Sequence, residues 1–175
     1  MTNSLPDILA KNLSVIFCGI NPGQTAATAG RHFVNRSNRF WRVLHLAGFT
    51  PEQILPENDR SILTYGYGLT TAVARPTRRA SDLSPEEFVL AASQLERKIA
   101  SLTPQYLAFL GKAAYATIVK NPDIQWGRQD TSFAGASVWV LPNPSGLNRS
   151  FSLDALVTAY RDLHLAIPIR EKREA

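Results

Sequence analysis

Two short loops hold the residues with the most chemical promise. The first is Gly19-Ile20-Asn21-Pro22-Gly23. Its asparagine carries a neutral amide that donates and accepts hydrogen bonds but does not titrate near neutral pH. The flanking glycines permit close backbone approach and unusual dihedrals. Pro22 biases Asn21 toward an extended conformation and stiffens the turn. Asn21 is then either a polar group held toward a ligand or the side chain of an ordinary turn, bonding its own backbone. The second loop is LPNPSGLNRS, Leu141 to Ser150. It is rich in turn formers, yet Leu147 stands between Gly146 and Asn148. A leucine there either tucks back as a staple for a helix beginning near Ser152 or protrudes as an apolar wedge. A protruding leucine suits insertion into a base stack. Arg149 and neighbouring N–H groups would then hold phosphate or an unpaired base.

Both loops need a scaffold, and the apolar patterning supplies one. LSVIFCGI (Leu13 to Ile20), YLAFLG (Tyr106 to Gly111) and SVWVLP (Ser137 to Pro142) are short apolar runs bounded by turn residues, so each reads as a buried strand. The segment around Leu69 offers one more. Between them the period changes to that of helices. Phe40, Val43, Leu44 and Ala47 recur at helical spacing before Gly48. Ser84-Pro-Glu-Glu87 reads as a capping box with proline at the first helical position, opening a helix that carries Phe88, Ala92, Leu95, Ile99 and Leu102 on one face. A helix through Tyr115, Ile118 and Val119 stops near Asn121-Pro122, and Leu153, Leu156, Val157, Tyr160 and Leu163 stripe the last helix. Strands alternating with helices predict a three-layer α/β/α sandwich with a mostly parallel central sheet. Ligands in such sheets bind at the carboxyl ends of the strands, where both loops emerge.

The whole chain narrows the possibilities. Its 175 residues, 45% hydrophobic, suit one domain over residues 1–175, with a charged tail at about 168–175. No apolar run is long enough to span a membrane, so no membrane partner is expected. The first residues show no basic segment followed by an apolar stretch, and Cys18 is the only cysteine. A reducing cytoplasmic location is therefore expected, on the nucleoid if the source is bacterial. The net charge of +5 attracts polyanions, among which nucleic acid is the commonest. Arg31, Arg36, Arg39 and Arg42 cluster in one stretch, and Arg75, Arg78 and Arg79 in another. His32, His45 and His164 lack ligand spacing with each other or with Cys18, so no metal and no cofactor is expected.

Taken together, VIFCGINPG, NRFW at 38–41, LGKAAY at 110–115 and WVLPNPSGLNR at 139–149 resemble the mismatch-specific uracil DNA glycosylases and their thymine DNA glycosylase relatives. The resemblance spans nearly the whole chain. It implies the uracil DNA glycosylase fold and a monofunctional enzyme that starts base excision repair. Such an enzyme flips uracil, and with it ethenocytosine or related lesions, out of double-stranded DNA where the base lies opposite guanine, and hydrolyses its N-glycosidic bond. The expected partner is a duplex with a G·U or similar mismatch, bound by a monomer.

Residue by residue, the resemblance makes Asn21 the catalytic group that positions the attacking water. Gly19, Ile20, Pro22 and Gly23 would form the base pocket, with Phe33 stacking on the flipped base. Asn143, Pro144, Ser145, Gly146, Leu147, Asn148 and Arg149 would form the intercalation and guanine-recognition loop. Leu147 is the wedge there, with Gly146 and Asn148 presenting backbone groups to the orphaned guanine. Phe40 and Trp41 read as core. His32 is open to either a phosphate contact or a plain surface position. Several positions depart from the family pattern. Gln24, Thr25 and Ala26 stand where some relatives carry serine, Thr71 where some carry lysine, and Asn148 where serine is frequent. Asp82 reads first as a helix-start residue; a carboxylate near the scissile bond would instead activate water.

Three other readings compete. One keeps the fold but changes the damaged base. A second is a non-catalytic DNA-binding module, which would be marked by loss of Asn21 or of the wedge, and both are present. A third is a nucleotide-binding protein, which calls for a GxGxxG or GxxxxGK[ST] phosphate loop that the chain does not contain.

Overall fold

The structure, a computed structural model, describes residues 4–168. Nearly all of the expected charged tail, from residue 169 onward, lies outside the described residues. Four strands run parallel: β1 (Val15–Gly19), β2 (Tyr67–Thr71), β3 (Tyr106–Leu110) and, with β4 (Gly127–Arg128) antiparallel beside it, β5 (Ser137–Leu141). The sheet order is β2-β1-β3-β5-β4. Helices α2 (Phe40–Leu46) and α5 (Leu153–Ala166) pack on one face, and α3 (Pro85–Leu102) and α4 (Lys112–Val119) on the other. This is the expected three-layer α/β/α architecture.

Strand periodicity divides the core in two. Val15 and Phe17 of β1, Ala108 of β3 and Leu141 of β5 join the α2–α5 side, while Ile16, Cys18, Phe109 and Val140 face α3 and α4. Successive side chains of a strand point to opposite faces, so a strand covered on both sides must be apolar throughout. That requirement explains the unbroken apolar runs. The strands are shorter than their runs: Leu13, Ser14 and Ile20 lie outside β1, and Gly111 and Pro142 outside β3 and β5.

The capping box forms as expected. Ser84 N–H donates to the Glu87 carboxylate at 2.8 Å and Glu87 N–H to the Ser84 hydroxyl at 3.4 Å, with Pro85 opening α3. Phe88, Leu95 and Ile99 are buried, but Val119 at the end of α4 is exposed, so the helical stripe ends earlier than its spacing suggests. Short elements carry weaker patterns and go beyond the sequence reading. They are α1 (Gln24–Ala29), two 3-10 segments (Pro56–Tyr65 and Ala80–Asp82), and β4. A further unforeseen pairing is that of Ile8 with Leu69, which lays the N-terminal segment along the edge of β2.

Candidate active site

The carboxyl ends of β1, β2, β3 and β5 open onto a cavity of about 760 Å³, within the range of small-molecule sites. All of Gly19–Gly23 lines it. So do Phe33, Thr71, Asn143, and Ser145 through Asn148. Residues 124 positions apart in the chain, Gly23 and Leu147, thus face one space because parallel strands deliver their loops to a common edge. Pro144, Arg149 and Asp82 do not line the cavity.

Asn21 is locked by the segment after β2. Its amide nitrogen donates to the Arg75 carbonyl at 2.9 Å and to the Thr77 hydroxyl at 2.8 Å. Thr77 donates its own proton to the Arg79 carbonyl at 2.7 Å, so towards Asn21 it is an acceptor. Two acceptors on one side fix the amide orientation, because only the NH2 group satisfies both. The amide oxygen is left to accept a hydrogen bond from the cavity. Asn21 therefore bonds across the fold, and the turn reading in which it bonds its own backbone is overturned. The supporting segment is anchored in turn. Thr77 N–H donates to Pro22 O at 3.1 Å. Arg75 makes a two-point ion pair with Glu87, at 2.6 and 3.0 Å. The guanidinium beside it, with the Ser84 N–H, holds the half-buried Glu87 carboxyl down at about 2.

The expected role of the loop glycines needs revision. Gly23 has φ −70°, a conformation open to any residue, and a Cβ there would meet nothing within 4 Å. A Cβ on Gly19 would make an ordinary 3.7 Å contact with Thr71. Both glycines keep the cavity and its mouth open; neither relieves the backbone.

Phe33 does carry strain. Its φ of +53° puts a bulky side chain in the left-handed region, at a cost of about 1–3 kcal/mol. Residue 32 is clamped to hold it there. His32 N–H donates to Asp59 at 3.0 Å, His32 O accepts from the Trp41 indole at 3.0 Å, and the His32 ring meets Pro6 O at 2.7 Å. One face of the Phe33 ring stacks on Phe40 at 4.1 Å between centroids, and the half-buried remainder lines the cavity. His32 is buried, so neither a phosphate contact nor a surface position survives for it, and burial pulls its pKa below the usual value. Phe40 and Trp41 are core, as expected.

In the second loop Leu147 is 77% exposed, so the staple reading fails and the side chain projects. Gly146 is required here for space: a Cβ would fall 2.6 Å from Ser37 Cβ and 2.7 Å from Ser37 O. Asn148 spends both backbone groups internally, its N–H on Ser145 O and its carbonyl on Arg39. Its backbone is thus less available for an orphaned base than the sequence suggested. The Gly146 backbone groups have no partner among the described residues.

The arginines divide into two sets. Arg39 is turned inward onto the 144–151 segment, Arg31 pairs with buried Asp59 at 3.3 Å, and Arg75 pairs with Glu87. These three are structural cations, against the reading of the whole cluster as a polyanion surface. Arg36, Arg78, Arg79 and Arg149 are exposed around the cavity mouth or the second loop. Asp82 uses its carboxylate to accept from Arg79 N–H at 3.1 Å, closing a 3-10 turn. That agrees with the helix-start reading, and Asp82 lies outside the cavity lining. Cys18 is buried, and burial raises its thiol to about 12. Among the described residues no three His, Cys, Asp or Glu side chains gather as a metal site, and no helix is long and apolar enough to cross a membrane. Sequence reasoning missed Thr77, Arg39 as a loop anchor, and Ser37. No local pattern marks a threonine whose partner is 56 residues away.

A family model for the uracil DNA glycosylase superfamily matches residues 6–164. A solution NMR structure from Methanosarcina acetivorans, of a protein provisionally named a uracil DNA glycosylase, is similar with a TM-score of 0.61. The match covers 93% of this chain and 98% of that one at 20% identity, a likeness of fold. Because residues 6–164 contain both loops and every strand that positions them, the chain belongs to the uracil DNA glycosylase superfamily.

Proposed function

We propose that this DNA glycosylase removes uracil, and ethenocytosine or related lesions, from positions opposite guanine in double-stranded DNA. The observation that carries the reading is the fixed amide of Asn21 at the wall of the cavity. With its NH2 held by Arg75 O and Thr77, the amide oxygen accepts an O–H from a water and turns the oxygen lone pair toward C1′ of the sugar. An amide cannot take the water's proton as a true general base. The C1′–N bond therefore breaks first, and its electron pair leaves with the base as an anion. Water oxygen then bonds to C1′, and the surplus proton passes to solvent, from which the departed base is protonated. Rate enhancement comes from positioning and from hydrogen-bond donors around the leaving base. A weakly activated water makes a slow enzyme.

The rest of the cavity suits a flipped base. Phe33 offers a ring already backed by Phe40, and Leu147 projects beside the mouth to fill the vacated stack. The test is base release from duplexes with G·U, A·U, G·T or G·ethenocytosine, each beside its single-stranded form. Release from G·U or G·ethenocytosine that disappears in Asn21→Ala, with DNA binding intact, supports the reading. Absence of release from all four, with binding intact, overturns the substrate assignment in favour of another damaged base, and after that of a non-catalytic module.

A further inference from the structure

We propose that Arg39 is the positioning residue of the wedge, acting through the backbone of residues 144–151 to hold Leu147 out from the surface. Its guanidinium donates to Phe151 O at 2.7 Å, Asn148 O at 2.9 Å and Ser145 O at 3.0 Å, with a longer 3.4 Å contact to Pro144 O. Its backbone N–H also donates to Pro144 O at 3.0 Å. The loop's own N–H groups reach only one of these oxygens. Ser145 N–H donates to the Asn143 side chain, Leu147 N–H to the Ser145 hydroxyl, and Asn148 N–H to Ser145 O. Of the four carbonyl oxygens that converge, only Ser145 O also has a loop donor; Pro144 O, Asn148 O and Phe151 O meet none among the described residues, and a cation among them offsets the mutual repulsion of their dipoles. A planar fork of five N–H groups is the side chain that spans such a set; an ammonium carries three donors on a single point and lacks the fork's spread.

Leu147 is 77% exposed, so its own side chain contributes little packing to hold it in place. Its direction follows from the loop backbone, and the loop backbone is gathered on Arg39. The same residue precedes Phe40, which backs the Phe33 ring at 4.1 Å. One residue thereby ties the stacking wall of the cavity to the wedge that would fill the duplex. Without the fork the loop opens, and its reordering must be met when DNA binds. That cost falls on duplex substrates, where a wedge is needed, and spares single strands.

The inference rests on the proposed base-flipping reading only for its enzymatic arm. The first variant is Arg39→Lys, which keeps the charge and loses the fork. Amide exchange over residues 143–151 should speed by about tenfold or more, since charge-assisted hydrogen bonds are lost. Duplex excision should fall by about tenfold and single-strand excision by less than about twofold. Combined with Leu147→Ala, the variant should be no slower on duplex than Leu147→Ala alone, because both act at one step. Unaltered exchange in the loop, equal losses on both substrates, or additive losses would each overturn the proposal. Should Arg39→Lys fail to fold, side-chain nitrogen spectra of the wild type decide. Slowly exchanging, rotationally hindered Arg39 N–H groups support the proposal, and freely exchanging ones overturn it. If wild-type protein releases no base from any duplex, the functional reading fails, and the exchange comparison still decides for or against Arg39.

Discussion

The amide nitrogen of Asn21 stands 2.8 Å from the hydroxyl oxygen of Thr77, and that hydroxyl hands its own proton to the Arg79 carbonyl 2.7 Å away. The chain of donors has one direction, so the Asn21 oxygen is the group left facing the cavity. Thr77→Val removes the acceptor at nearly constant volume and lets the amide turn. Its single-turnover excision rate should fall about tenfold, the worth of one buried hydrogen bond, with little change in KM. Thr77→Ser should restore the rate. A valine variant as fast as wild type would mean that Arg75 O alone orients the amide.

Leu147→Ala should weaken duplex excision by about ten- to a hundredfold, the range expected for losing a buried leucine's contact. Single-strand excision should barely change. Equal losses on the two forms would argue against a wedge.

Gly146→Ala tests the seat of that wedge. The added Cβ meets Ser37 Cβ at 2.6 Å, its carbonyl oxygen at 2.7 Å and its hydroxyl at 2.8 Å. The variant should behave like Leu147→Ala in the duplex assay. Adding Ser37→Ala should not rescue it, because the carbonyl and the Cβ remain. Rescue by that change would place the conflict at the hydroxyl alone.

DNA affinity should fall steeply with salt. Arg36→Gln, Arg78→Gln, Arg79→Gln and Arg149→Gln remove exposed charges, and each that contacts phosphate should lower the slope of log K against log salt by about one. Arg31 and Arg75, already paired with Asp59 and Glu87, should leave the slope unchanged when replaced. Titrations at several salt concentrations make the comparison.

His32 predicts a pH effect on stability. Burial lowers its folded pKa below the ordinary 6.5, so below that pH the unfolded chain binds the proton more readily than the folded one. The His32 contribution is complete above about pH 6.5 and is lost as pH falls from there toward the folded value. Melting temperatures should therefore drop between about pH 7 and about pH 5, and His32→Gln should flatten the drop. His164 is shifted the same way by burial. A slope that survives in His32→Gln but vanishes in His164→Gln would move the effect to that residue.

What the sequence determined alone is local in origin. Alternating side-chain direction forces the apolar runs at 15–19, 106–110 and 137–141 to be buried strands, and the box at Ser84–Glu87 is written in four consecutive residues. The two loops were legible because turn formers follow strands, and parallel strands send such loops to one edge. Tertiary structure decided the rest. Thr77 reaches Asn21 across 56 residues and Arg39 reaches Ser145 across 106, and no periodic pattern encodes a partner at that distance. Arg39 looked like one cation among several until its position beneath the second loop turned it inward. Leu147 allowed two readings, staple or wedge, and its exposure chose between them. Gly23 and Gly146 are the same residue type with different reasons, open space at one and a neighbour's backbone at the other. Patterns along the chain fix which surfaces must be buried; which donor meets which acceptor depends on how the buried surfaces bring distant loops together.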